Sequence, residues 1–123
     1  MTLIKDFDID ERCSKTITVI TRKKNGLLRD ITGASVEWNA TQNGIEKASK
    51  STALATVTLG ATVGGIISSF SFTLLPDDTD LSDLTTNYGT PVVWYQEGGV
   101  TIGSEEFVAI RGRMFVMPRQ TGV

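Results

Sequence analysis

Gly33-Ala34-Ser35-Val36-Glu37-Trp38-Asn39-Ala40 alternates without a break, with Ala34, Val36 and Trp38 on one side and Ser35, Glu37 and Asn39 on the other. Successive side chains leave a strand in opposite directions, so this period of two predicts a strand with one face in a core. Upstream, Lys15 to Lys23 (KTITVITRK) is dominated by β-branched residues, with Ile17 and Val19 opposed to Thr16, Thr18 and Ile20. That composition predicts a second strand, and Asn25-Gly26 supplies a turn after it because Asn and Gly reach positive φ cheaply.

Downstream, Asn43-Gly44 marks another turn, followed by short strands expected over Ile45 to Ser49 and Leu54 to Leu59. Ile66 to Leu75 (IISSFSFTLL) puts Phe70, Phe72 and Leu74 on one face. Pro76-Asp77-Asp78-Thr79 is turn and helix-cap chemistry, and Leu81 and Leu84 would cover one side of a short helix near residues 77–84. Val92 to Glu97 (VVWYQE) is expected to meet Val100 through a Gly98-Gly99 hairpin turn. The last strand, Glu106 to Met117, places Val108, Ile110, Met114 and Val116 together, with Gly112 read as a bulge and Pro118 as its end. Short strands at turn-separated intervals with a single helical turn predict an all-β sandwich or barrel.

A chain of 123 residues, 40% apolar and 21% charged, has the size and composition of one folded domain. Its net charge of -2 sets up no global positive field, so no nucleic-acid partner is expected. The first ten residues lack the basic and apolar regions of a signal peptide, and no stretch approaches the ~18 apolar residues of a membrane span, so neither that export route nor a membrane is expected. A single cysteine, Cys13, rules out a disulfide within the chain, which suits a reducing compartment.

The sequence contains no histidine, which excludes Ser-His-Asp and Cys-His machinery and His-ligated metals. Asp6-Phe7-Asp8-Ile9-Asp10 has the spacing that opens a calcium loop, but Glu11 stands where glycine is needed and Ile17 where a bidentate glutamate is needed. Asp77, Asp78, Asp80 and Asp83 could gather a cation, or could serve a helix N-terminus. Gly60 to Gly65 (GATVGG) lacks the lysine of a phosphate loop, and no carboxylate pair has the marked spacing of a glycosidase. No enzyme and no cofactor are expected.

Two groups of side chains are left as binding candidates. Arg22, Lys23, Lys24 and Arg29 flank the Asn25-Gly26 turn and form either a solvated tip or a contact for an acidic partner. Trp94 and Tyr95, with Trp38, could stack on a sugar, although aromatics on alternating strands commonly pack as core.

Three segments carry a resemblance. Gly26 to Trp38 (GLLRDITGASVEW) resembles the DG-x-P-x-DLTGA-x-V opening of immunoglobulin-like domains in tailed-phage virion proteins, particularly the amino-terminal domain of baseplate upper proteins. Phe70 to Leu84 (FSFTLLPDDTDLSDL) is similar to that family's strand and L-x-x-x-DT-x-x-L turn, and Gly112 to Pro118 (GRMFVMP) to its closing G-x-L-x-V-x-P. The family's tyrosine after the next strand's glycine is missing, since Thr90-Pro91 follow Gly89.

The resemblance implies an immunoglobulin-like β-sandwich of about seven strands over residues 15–118, with an arm over 1–14 and a tail over 119–123. It also implies a virion protein, assembled in the host cytoplasm, that meets other virion proteins and copies of itself in a tail, baseplate, neck or capsid decoration. In that setting Leu3, Phe7 and Ile9 would share one face of an extended arm and lie on a neighbouring subunit, or dock back on their own domain.

Overall fold

In the computed structural model, which describes residues 1–81 and 90–119, the alternating stretch around Trp38 is strand β4 (Ser35–Gln42), with Val36, Trp38 and Ala40 buried as their spacing requires. It sits inside a six-stranded sheet ordered β1-β9-β8-β4-β5, formed by β1 (Leu3–Ile4), β2 (Phe7–Asp10), β5 (Ile45–Ser51), β8 (Val92–Ile102) and β9 (Glu105–Met117), with β2 also on β9. A second sheet, ordered β3-β7-β6, packs face to face with it and contains β3 (Lys15–Ile20), β6 (Val57–Leu59) and β7 (Ser69–Leu74).

The first strands run parallel to the last one, and all other pairings are antiparallel. Two packed sheets with this strand order make the chain an immunoglobulin-like β-sandwich. It has nine described strands where about seven were expected, because the amino-terminal segment adds β1 and β2.

Ile17 and Val19 of β3 and Phe70, Phe72 and Leu74 of β7 face Val36, Trp38, Trp94, Val100, Ile110, Met114 and Val116 across one continuous core. Fully burying an apolar side chain of this size is worth ~1.5–3 kcal/mol. At the centre, the Trp38 ring lies 4.5 Å from that of Phe72, tilted by 31°. No disulfide joins the sheets here; this aromatic contact occupies the middle of the sandwich instead.

Several local expectations shift. Gly98-Gly99 is not a hairpin turn: β8 runs straight through it, and the β8–β9 turn is Gly103-Ser104, with Gly103 at φ +58°. Gly98 is needed for space, since a Cβ there would sit 2.9 Å from Ile110 Cγ2 and 3.4 Å from Trp38 Cδ1. The bulge lies nearby rather than at Gly112. Gly98 pairs with Ile110 and Gly99 with Val108, which leaves Ala109 over. That extra residue flips the strand's phase, so Ala109 and Ile110 are both buried while Val108 joins the outer face instead of the core row expected for it.

The helical turn is a four-residue 3-10 turn, Pro76–Thr79. The Asp78 carboxylate accepts from the Leu75 amide at 2.7 Å, and the Asp78 amide donates to the Leu75 carbonyl at 2.9 Å. Asp78 also pairs with Lys50 at 2.7 Å, tying β5 to the turn, so it serves a local clasp rather than the dipole of a longer helix. Leu81 is buried as expected. Leu84 and Asp83 lie outside the described residues.

Candidate interaction surfaces

The amino-terminal segment was the candidate arm, and the structure lays it on its own domain. Phe7 and Ile9 are only 7% and 5% exposed and pair in parallel with Met114 and Val116, so neither is available to a partner. Leu3 is separate from them, half-exposed on β1 opposite Ile110. The space for this docking comes from Gly112: a Cβ there would fall on the Lys5 carbonyl oxygen.

Polar contacts complete the fit. The Gln96 amide donates to the Lys5 carbonyl at 3.0 Å while its oxygen accepts from Trp38 Nε1 at 2.9 Å. Asp6 accepts from the Arg113 amide at 2.8 Å and pairs with the Arg113 guanidinium at 2.9 Å, and these contacts hold its carboxyl below the usual aspartate value. Glu11, which fails the calcium-loop pattern, is nearly buried and accepts from the Leu81 amide at 3.0 Å and the Arg119 amide at 3.2 Å. It joins both chain ends to the 3-10 turn region, a role no local motif announces.

The aromatic pair is divided. Trp94 is buried in the same core as Trp38, with its indole N–H unpartnered among the described residues, so it cannot stack on a sugar. Tyr95 is 60% exposed on the outer face of the six-stranded sheet. Adjacent strand residues point to opposite faces, so the two could never form one platform. Tyr95 borders an open trough of about 600 Å³ that also takes in Asp6, Asn39, Thr41, Glu97 and Arg113.

The third surface is the end of the sandwich where the loops between β3 and β4, β6 and β7, and β8 and β9 meet. The Ile31 amide donates to the Ile67 carbonyl at 2.7 Å, and the Ile67 amide to Asp30 at 3.3 Å. Asp30 is held below the usual carboxylate range, first by the Thr32 hydroxyl and then by the Thr32 amide. Arg29 leaves the basic cluster: it pairs with Glu105 at 2.7 Å and lies 3.9 Å over the Phe107 ring.

Asn25-Gly26 turns as expected, with Gly26 at φ +87° and a bridge from Arg22 to Leu28. That turn displays Leu27 at 63% exposure beside Lys23 and Lys24, and Val63 stands 74% exposed on the neighbouring loop. Sequence reading found the charges here and missed the apolar side chains. Their signal was the Leu27-Leu28 pair directly after the turn glycine.

Among the described residues no three Cys, Asp or Glu side chains gather as a metal site, and no helix is long and apolar enough to cross a membrane.

No family model matches the chain, and no curated protein matches it. Among solved structures it is similar to murine CRIg, at 9% identity over 94% of this chain and 92% of that one, with a TM-score of 0.39. What this chain shows in its own right is an immunoglobulin-like β-sandwich with its amino-terminal strands docked and three loops joined at one end.

Proposed function

We propose that the chain is a non-catalytic structural module of a tailed-phage virion, repeated in a tail, baseplate, neck or capsid decoration and joined there to other virion proteins. The virion setting is supported by the three ordered sequence segments. The assembly role is carried by one observation: a hydrogen-bonded loop end that exposes Leu27 and Leu28 beside Lys23 and Lys24, with Val63 exposed on the loop between β6 and β7. Apolar side chains held on a rigid base with cations at the rim fit a protein partner carrying acidic groups around an apolar centre. The outer edges of β5 and β3 end their sheets and add backbone hydrogen-bonding capacity for neighbouring copies.

Mass spectrometry of purified particles, with lysine cross-linking, tests this reading. The expected result is a fixed copy number per particle, with cross-links from Lys23 and Lys24 to another virion protein. Absence of the chain from purified particles would overturn it.

A second reading, attachment to host-surface sugars, loses Trp94 but keeps Tyr95, which is exposed among polar side chains at the trough.

A further inference from the structure

We infer that the outer face of the six-stranded sheet binds a neutral pyranose of a surface glycan, stacked on Tyr95. The inference rests on the attachment reading and gives it a site and a ligand class.

Strand register defines the site. Thr41, Tyr95 and Arg113 form one row across β4, β8 and β9, and Asn39, Glu97 and Arg111 form the next row on the same face. Neighbouring strands lie ~4.8 Å apart and alternate residues ~6.7 Å apart along a strand, so these six side chains cover roughly 10 by 7 Å. That is the footprint of a sugar ring with its hydroxyl groups. Tyr95 is the aromatic side chain of this grid, and its exposed ring offers a π face to the C–H face of a pyranose.

The polar groups around it are held in place before any ligand arrives. Arg113 is fixed by Asp6 at 2.9 Å, and Arg111 by Glu97 at 3.3 Å. A paired guanidinium keeps N–H donors to spare and a paired carboxylate keeps lone pairs, so each ion pair offers a donor and an acceptor side by side, which vicinal hydroxyls require. Asn39 and Thr41 add an amide and a hydroxyl. Such prior fixing lowers the ordering cost of binding.

Charge chooses the class of sugar. Two guanidinium groups stand against two carboxylates, so the trough has no net charge, and an anionic sugar attracted by one partner of each pair is repelled by the other. The trough is open, which implies weak binding at one site, and symmetric copies on a particle would multiply it.

Amide-detected NMR titration with glucose, galactose, mannose, N-acetylglucosamine and sialic acid, each up to tens of millimolar, tests the site. Shifts confined to residues 39, 41, 95, 97, 111 and 113 with at least one neutral sugar are expected. Tyr95→Ala should weaken that binding at least about tenfold, a loss of ~1.4 kcal/mol, and Tyr95→Phe should retain most of it. Silence with all sugars, shifts elsewhere, a preference for sialic acid, or unchanged binding by Tyr95→Ala would each overturn the inference. Particle incorporation separates the two proposals: a chain missing from particles sinks the virion reading and leaves the titration standing.

Discussion

Phe7 and Ile9 near the amino end, and Leu27 and Leu28 in the loop from Thr21 to Ala34, are all apolar side chains among charges, yet they meet opposite fates. Phe7 and Ile9 go into the core, whereas Leu27 and Leu28 stay in solvent. The difference lies in what distant parts of the chain offer. The amino-terminal segment finds an open strand edge on β9, a gap at Gly112, and partners in Gln96 and Arg113. The loop finds partners for its backbone and for Arg29 and Asp30, which fix its base. Its tip, turned by Gly26, closes on itself through the Lys23 amide to the Leu27 carbonyl and the Gly26 amide to the Lys23 carbonyl, and shows its leucines outward. Burial of a side chain near a chain end or turn is decided by the receiving surface.

Deleting residues 1–10 should have the largest effect. Losing the burial of Phe7 and Ile9 at ~1.5–3 kcal/mol each predicts a loss of about 3–6 kcal/mol, read from the urea unfolding midpoint. If stability were unchanged, the segment would be an arm after all. Gly112→Val attacks the same docking from the receiving side, because its side chain would occupy the place of the Lys5 carbonyl. A cost of about 1–3 kcal/mol is expected, together with faster amide exchange in residues 3–10 than in β4.

The opposite region predicts the opposite balance. Leu27→Ser with Leu28→Ser should move stability by less than ~0.5 kcal/mol, as exposed substitutions do, while particle incorporation falls sharply. A large stability loss would show that these leucines pack within the domain.

The smallest effects compare the two anchoring aspartates. Asp6 and Asp30 both have folded pKa values below the ordinary 3.8, so each stabilises the fold above that value, and its contribution fades as pH falls below 3.8 through the lowered folded pKa. Asp6→Asn and Asp30→Asn should therefore each give a shallower acid limb in stability against pH than the parent chain. Amide exchange should rise in residues 3–10 for the first and around Ile31 and Ile67 for the second. Parent-like acid limbs would place both carboxylates outside the folding equilibrium.

Much of the sandwich was legible in the linear chain. The β3, β4 and β7 alternations, the Asn25-Gly26 and Asn43-Gly44 turns, and Pro118 after the last strand all act through local backbone and side-chain preferences, which do not depend on distant residues. Alternation sends Trp94 and Tyr95 to opposite faces, which corrects the expectation that the two stack on one sugar. The glycines of the carboxy-terminal hairpin were misread, because Gly98 and Gly112 answer to Trp38, Ile110 and Lys5, which are remote in sequence or across a strand pair.

The sequence by itself therefore determined an all-β chain, its main buried rows and most of its turns, because each depends on neighbours one to four residues away. Only the tertiary structure decided that the amino-terminal segment belongs to the sheet, that Glu11 gathers both chain ends, and that Thr41, Tyr95 and Arg113 share a row. Those outcomes depend on which strands lie side by side and in what register, and pairing of that kind is settled by long-range packing and space.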